Sequence, residues 1–172
     1  HGTKHSFPTR RSSDLALRKI DGAAAATPSH GAIWIDMVNP APAEDREVEQ
    51  LVGIAVPTRE EMQEIEISSR LYVENGARYM TAILMCGSES DTPRTTPVTF
   101  ILADHRLVTV RYDSPRPFAM VEAKLARSCA PGINGEGVLL ELLEAIIDRC
   151  ADILERAGAD VDGVSREIFE PE

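Results

Sequence analysis

The amino-acid sequence predicts an α/β fold: an α/β sandwich on a mixed, partly antiparallel sheet, followed by long C-terminal helices. Three observations carry this. Short β-favouring runs alternate first with helical patterns and then with one another, as in a sheet with both crossover and hairpin connections. Asn75-Gly76 between two such runs is a strong hairpin signal. From Val138 to Phe169 apolar residues recur at three- and four-residue steps, the spacing of helices.

Each element follows from local chemistry. Residues 32 to 38 hold Ile33, Trp34, Ile35, Met37 and Val38 around one acid, Asp36, and Asn39-Pro40 ends them. They read as a buried strand. Residues 42 to 52 read as a helix, with Pro42 suited to a first turn and Glu44 and Asp45 at the positive end of the dipole. Val48, Leu51 and Val52 form its apolar face, and Gly53 stops it. A second helix opens at Thr58, an N-cap whose Glu61 lies three residues on, and its turn pattern continues to Ser68-Ser69.

Residues 71 to 74 and 79 to 85 are then strands joined at Asn75-Gly76, and residues 87 to 97 a polar loop. Residues 98 to 102 and 107 to 112 form a second hairpin of β-branched and aromatic residues, with His105 at its tip. Phe118, Val121 and Leu125 mark a short helix. After a Gly-rich break at residues 131 to 137, residues 138 to 169 are helical, with Gly158 or Gly163 bending or dividing them. Leu139, Leu143, Ile146, Cys150, Ile153 and Ala157 form the expected buried stripe.

The chain's 172 residues suit one domain with a real core, residues 32 to 172. Residues 1 to 15 differ from the rest: the string from Phe7 to Leu15 resembles a translated sequencing adapter, and the segment reads as non-native. Residues 16 to 31, with their alanine run, read as a linker. No apolar run is long enough to span a membrane, and no signal peptide is present, so the chain by itself reads as soluble. Cys86, Cys129 and Cys150 lack C-x-x-C spacing, which fits reduced thiols in a cytoplasm. A net charge of −10 disfavours duplex nucleic acid as a partner and suits cations.

No phosphate loop, nucleophile elbow or zinc-protease motif occurs. His1, His5, His30 and His105 fall at poor positions for catalysis, so no catalytic residue is assigned and the chain does not read as an enzyme. Acids remain. Glu60 and Glu64 are spaced to share one helix face, where two carboxylates would suit a hydrated Mg²⁺, with Glu61 and Glu66 nearby. A second set, Glu141, Glu144, Asp148, Asp152 and Glu155, recurs at the same steps, and so dense a like-charge face is costly without counter-ions. The plainer reading is helix capping with a solvated face for the first set and an ordinary hydrated face for the second.

These blocks also occur in a telling order. Trp34-Ile35-Asp36 with Asn39-Pro40, the helix opening Pro57-Thr58-Arg59-Glu60-Glu61, Tyr79-Met80-Thr81, the hairpin of residues 97 to 112, and Leu143-Glu144-Ala145-Ile146-Ile147-Asp148-Arg149 resemble successive parts of the CorA family of divalent-cation transporters. The resemblance implies the cytoplasmic domain, an α/β/α sandwich, of a homopentamer of the inner (plasma) membrane that moves Mg²⁺, Co²⁺ or Ni²⁺. It implies transmembrane helices and a Gly-Met-Asn motif beyond the residues here. It also implies regulatory Mg²⁺ held by acids between subunits, carried over to Glu60 and Glu61 and, on the later helix, to Glu144 or Asp148. The zinc-transporting branch of the same superfamily and a stand-alone acidic binding or scaffold domain remain alternatives.

Overall fold

The computed structural model describes residues 31–64, 66, 70–90, 92–127 and 132–169. Along these the elements run β1 (Trp34–Val38), α1 (Pro42–Val52), α2 (Arg59–Met62), β2 (Leu71–Glu74), β3 (Ala77–Cys86), β4 (Arg94–Ala103), β5 (Arg106–Arg111), α3 (Arg116–Arg127) and α4 (Gly135–Phe169). The segment expected to be non-native and nearly all of the expected linker lie outside the described residues, as does Cys129.

The strands form one sheet in the order β1-β5-β4-β3-β2. β2 to β5 are an antiparallel meander, and β1 joins β5 in parallel, with Trp34 opposite Leu107 and Val38 opposite Arg111. The sheet is therefore mixed, as expected. Pleating sends alternate residues to opposite faces. Ile35, Met37, Tyr79, Ile101, Val108 and Val110 point to the face covered by α1 and α2 through Val48, Leu51 and Met62. Phe100, Leu102 and Leu107 point to the other, covered by α3 and α4 through Phe118, Val121, Val138 and Leu142. The result is a three-layer α/β/α sandwich, the form that the resemblance implies.

The caps show why the elements stop where they do. At α1 the Glu44 carboxylate accepts from the Ala41 N–H at 2.7 Å, and Gly53 ends the helix at φ 74°, its N–H donating to the Glu49 carbonyl. Asn75 and Gly76 both take positive φ, 49° and 83°, the geometry of a two-residue hairpin turn. Asn134 caps α4 through its Oδ1, which accepts from Gly137 N at 3.0 Å. β4 starts at Arg94, four residues before the expected position. Pro97 is tolerated there because the β5 ladder begins only at Val98.

Tyr79 ties the sheet to the loop after α1. Its hydroxyl donates to the Ala55 carbonyl at 3.0 Å and accepts from the Ala55 N–H at 3.1 Å, while its ring stacks on Tyr72 at 4.6 Å. Burial, the largest cause, raises the phenol's pKa, so the hydroxyl stays protonated and able to donate. Tyr79→Phe is expected to cost about 1–3 kcal/mol, because it strands two backbone groups at once. Urea unfolding checks this; an unchanged midpoint would show that water satisfies Ala55.

Three expectations about helices are corrected. α2 ends at Met62 rather than running to Ser68-Ser69: the Gln63 N–H closes back on the Glu60 and Glu61 carbonyls, and Met62, 2% exposed, anchors the turn. α4 is one continuous helix, because Gly158 and Gly163 occupy ordinary helical geometry. The stripe of α4 that faces the sheet is Val138, Leu142, Ala145 and Ile146 with Leu139, which shares only Leu139 and Ile146 with the one expected. Cys150 is exposed, and Leu143 is 37% exposed.

Candidate functional site

The acids singled out in the sequence fall into two groups on opposite sides of the sheet. Glu60 and Glu61 belong to α2, in the layer with α1; Glu144 and Asp148 belong to α4, in the layer with α3. All four are exposed. One protomer therefore does not bring the two groups together. Glu60 and Glu64 do not share a helix face either, because α2 stops between them.

Glu61 is engaged in the capping box. Its Oε2 accepts from Thr58 N at 2.7 Å and from Thr58 Oγ1 at 3.0 Å, while its own N–H donates back to Thr58 Oγ1 at 3.3 Å. Glu60 faces a shallow depression that it lines with Gln63, Glu64 and Glu66. On its other flank lies Tyr112, whose ring carries the Arg59 guanidinium at 5.1 Å. Burial raises the Tyr112 pKa most, and the charges of Asp45 and Glu60 add to it against the opposing Arg59.

Asp45 is the acid that reasoning from sequence assigned only to the helix dipole. It is half-buried on α1, and its Oδ1 has no hydrogen-bond partner. Burial, then Glu49 and Glu44, raise its pKa, with Arg46 opposing. Asp45 and Glu60 both bear on Tyr112 against Arg59, and Glu49 and Glu44 crowd Asp45 against Arg46. Such a surface gains when a cation arrives. Among the described residues, however, no three His, Cys, Asp or Glu side chains are grouped closely enough to hold a metal ion directly.

On α4, Glu144 lies near Lys124, whose pKa is raised chiefly by its bond to Glu141 and further by the Glu144 charge. Arg149 leaves the same helix toward the loop after β3. There it donates to Ser88 Oγ at 2.6 Å and to Glu89 at 3.0 Å, and Arg116 pairs with the same Glu89. The charge of Arg116, the largest cause, and the hydrogen bond from Arg149 lower the Glu89 pKa.

The strongest polar assembly is one the sequence reading passed over. Asp36 on β1 accepts from Arg111 Nη2 at 2.7 Å, from Arg111 Nε at 3.1 Å and from Thr109 Oγ1 at 2.7 Å. Thr109 in turn accepts from Trp34 Nε1 at 3.0 Å. Arg111 Nη1 donates to the Asp113 carbonyl, and the guanidinium lies 4.6 Å from the Phe118 ring centre. The signal was available: an acid inside one apolar strand and an arginine closing another must meet a partner if both are buried. Saturated and 6% exposed, Arg111 fixes the register of β1 on β5 and offers nothing to a ligand.

Comparison with known proteins places these features. The family model described as CorA-like Mg²⁺ transporter protein matches residues 29–172. The magnesium transport protein CorA of Wolinella succinogenes is 30% identical over 141 residues, 80% of this chain and 44% of that protein. The protein of the same name from Pasteurella multocida is 27% identical over 157 residues, 91% of this chain and 49% of that one. The chain thus spans about half the length of the curated relatives it matches. The solved soluble domain of CorA from Methanocaldococcus jannaschii superposes with a TM-score of 0.62 at 19% identity, over 79% of this chain and 55% of that one. The complete CorA structure from the same organism gives 0.63 at 16% identity, over 79% and 43%. No helix among the described residues is long and apolar enough to cross a membrane.

Proposed function

This chain belongs to the CorA-like Mg²⁺ transporter protein family, and from that premise we propose that it is the cytoplasmic regulatory domain of a transporter moving Mg²⁺, and also Co²⁺ or Ni²⁺, across the inner membrane. The single observation that carries the reading is the family match over residues 29–172. The transporting machinery lies in the share of such a protein that this chain does not span.

We further propose that the domain senses intracellular divalent cations between the subunits of a homopentamer. The geometry supports an ion shared between protomers over one held within a protomer. The α2 and α4 acids sit on opposite layers, and no ready-made cluster of ligands exists among the described residues. Mg²⁺ dehydrates reluctantly and commonly keeps several waters, so carboxylates on two facing surfaces suffice to hold it. Glu60, which with Asp45 bears on Tyr112, supplies one such surface, and Glu144 or Asp148 the other. Cation binding at that junction relieves like-charge repulsion and favours the assembled, closed state over the open one.

In a full-length transporter carrying this domain, Glu60→Ala with Glu61→Gln is expected to leave uptake intact and to shift its inhibition to higher intracellular Mg²⁺, about tenfold for the loss of ~1.4 kcal/mol of coupling. Glutamine keeps an acceptor for the Thr58 cap, which separates sensing from folding. Flux measured against internal Mg²⁺ checks the proposal. Inhibition identical to wild type would return both residues to capping and hydration.

A further inference from the structure

One carboxylate holds the point where α4 leaves the sandwich. The stripe of α4 that packs on the sheet ends at Ile146. Arg149 lies one turn on, its side chain only 12% exposed. Its Nη2 donates to Ser88 Oγ at 2.6 Å and to Glu89 Oε1 at 3.0 Å, both in the loop after β3. Arg116, the first residue of α3, donates to the same Oε1. Two helices of one layer thus close on a single oxygen atom of a loop. Among the described residues, no hydrogen bond joins α4 to another element beyond Arg149. From Cys150 to Ile168 all but Ile153 and Gly163 are exposed. Residues 150 to 169 therefore stand clear of the sandwich over about 30 Å.

The loop is shaped to present this carboxylate. The Gly87 carbonyl accepts from Ser90 N at 2.9 Å and from Ser90 Oγ at 2.7 Å, which closes a four-residue turn with Ser88 and Glu89 at its centre. Gly87 itself takes φ 63°, and a Cβ there would lie 2.9 Å from Ser90 Oγ. Around the carboxylate, positive charge is in excess. After Arg116, the largest cause, and Arg149, the charge of Arg156 also helps to lower the Glu89 pKa. Asp152, 3.9 Å from Arg149, offsets part of this charge but is itself exposed. Without Glu89, guanidinium groups from two helices would stand together with one exposed acid among them, so its loss brings repulsion as well as a missing bond. Glu89 and Arg116 are both exposed, so water and salt reach the contact and keep it weak enough to open.

We propose that Glu89 is an electrostatic latch on α4. Closed, it ties the helix to α3 and to the loop after β3 and sets the direction of the distal half. Open, Arg116, Arg149 and Arg156 push apart and the distal half swings about Ile146. A tilt of about 10° at that pivot moves Asp162 by about 4 Å. Asp148 stands between the pivot and Arg149, so the latch also sets where this acid faces. That consequence rests on the sensing proposal; the latch itself does not.

A pair of nitroxide labels reads the latch directly in the 172-residue chain. The labels sit on Thr95→Cys in β4 and Asp162→Cys in α4, both exposed positions, after Cys129→Ser and Cys150→Ser; Cys86 is buried. Pulsed electron double resonance in low salt, without divalent cations, is expected to give one narrow distance distribution. Glu89→Gln is expected to shift or broaden it by about 4 Å or more, with an unchanged near-ultraviolet signal showing that the sandwich is intact. Salt at 1 M should do the same with Glu89 in place, since screening then acts over ~3 Å; this arm needs no substitution at the latch. Adding Arg156→Gln to Glu89→Gln should narrow the distribution again, because it removes one of the repelling charges. Lost packing alone would show no such recovery. Superimposable distributions with and without Glu89, narrow or broad, overturn the proposal. Broadening that salt fails to reproduce, or that Arg156→Gln fails to reverse, overturns its electrostatic basis. No arm contains a divalent cation, so failure here leaves the sensing proposal standing.

Discussion

Arg111→Leu is expected to destabilise the protein by about 3–5 kcal/mol, the usual cost of removing one member of a buried ion pair. Arg111 gives Asp36 two of its nitrogens, and the Asp36 side chain is only 16% exposed, so the carboxylate cannot recover its hydration. The loss extends to the Asp113 carbonyl and to the Phe118 ring, which the same guanidinium contacts. Arg111→Lys should recover little, since an ammonium cannot span both carboxylate oxygens and the carbonyl together. Asp36→Leu combined with Arg111→Leu should regain much of the loss, because no charge is left unpaired. A double-mutant cycle in urea checks this. Strictly additive single effects would show that the two side chains stabilise independently.

The second large effect is expected at Gly135. A Cβ there would lie 2.4 Å from Leu107 N and 2.5 Å from the Arg106 carbonyl carbon. Both are backbone atoms, so no side chain can swing aside. The Gly135 N–H also donates to the His105 carbonyl at 2.7 Å, pinning the start of α4 to the β4–β5 hairpin. Gly135→Ala must lift the helix off the strand, and overpacking of this kind costs about 3 kcal/mol. Gly158→Ala is the control: it meets open space, and helix propensity alone predicts a gain of roughly 0.5–1 kcal/mol in the distal helix. Denaturant unfolding of both variants decides the matter. Near-equal stability at Gly135 would mean that α4 is free to shift at its first turn.

Gly135 also shows where reading from sequence met its limit. The residue looked like part of a Gly-rich break, because composition marks a glycine without revealing which backbone approaches it. The turn at Asn75-Gly76, the capping box of Thr58 and Glu61 and the stop at Gly53 were legible, since each is settled by residues within three or four positions. The end of α2 was not. A helical pattern ran on through Glu64, but burial of Met62 and closure of the turn at Gln63 ended the helix there. The candidate cation residues were legible as acids; their placement on opposite layers was not. Asp45 became notable only once burial had removed a partner from its Oδ1.

By itself, then, the sequence determined the kinds and order of the elements, the capping box at Thr58, the stop at Gly53 and the family. These follow from short-range stereochemistry and from the periods of strand and helix. Only the tertiary structure decided which way the elements face. α4 has apolar residues on two sides, and the stripe expected from spacing alone mixes them, taking Leu139 and Ile146 from the covered side and Leu143 and Cys150 from the exposed one. A period of 3.6 tells how apolar residues cluster around a helix, not which cluster meets the sheet. Packing against the sheet decides that rotation: Val138 and Leu142 are buried in the core, Gly135 lies against the backbone of the β4–β5 hairpin, and Leu140, Ile147, Leu154, Val161 and Ile168 are left exposed.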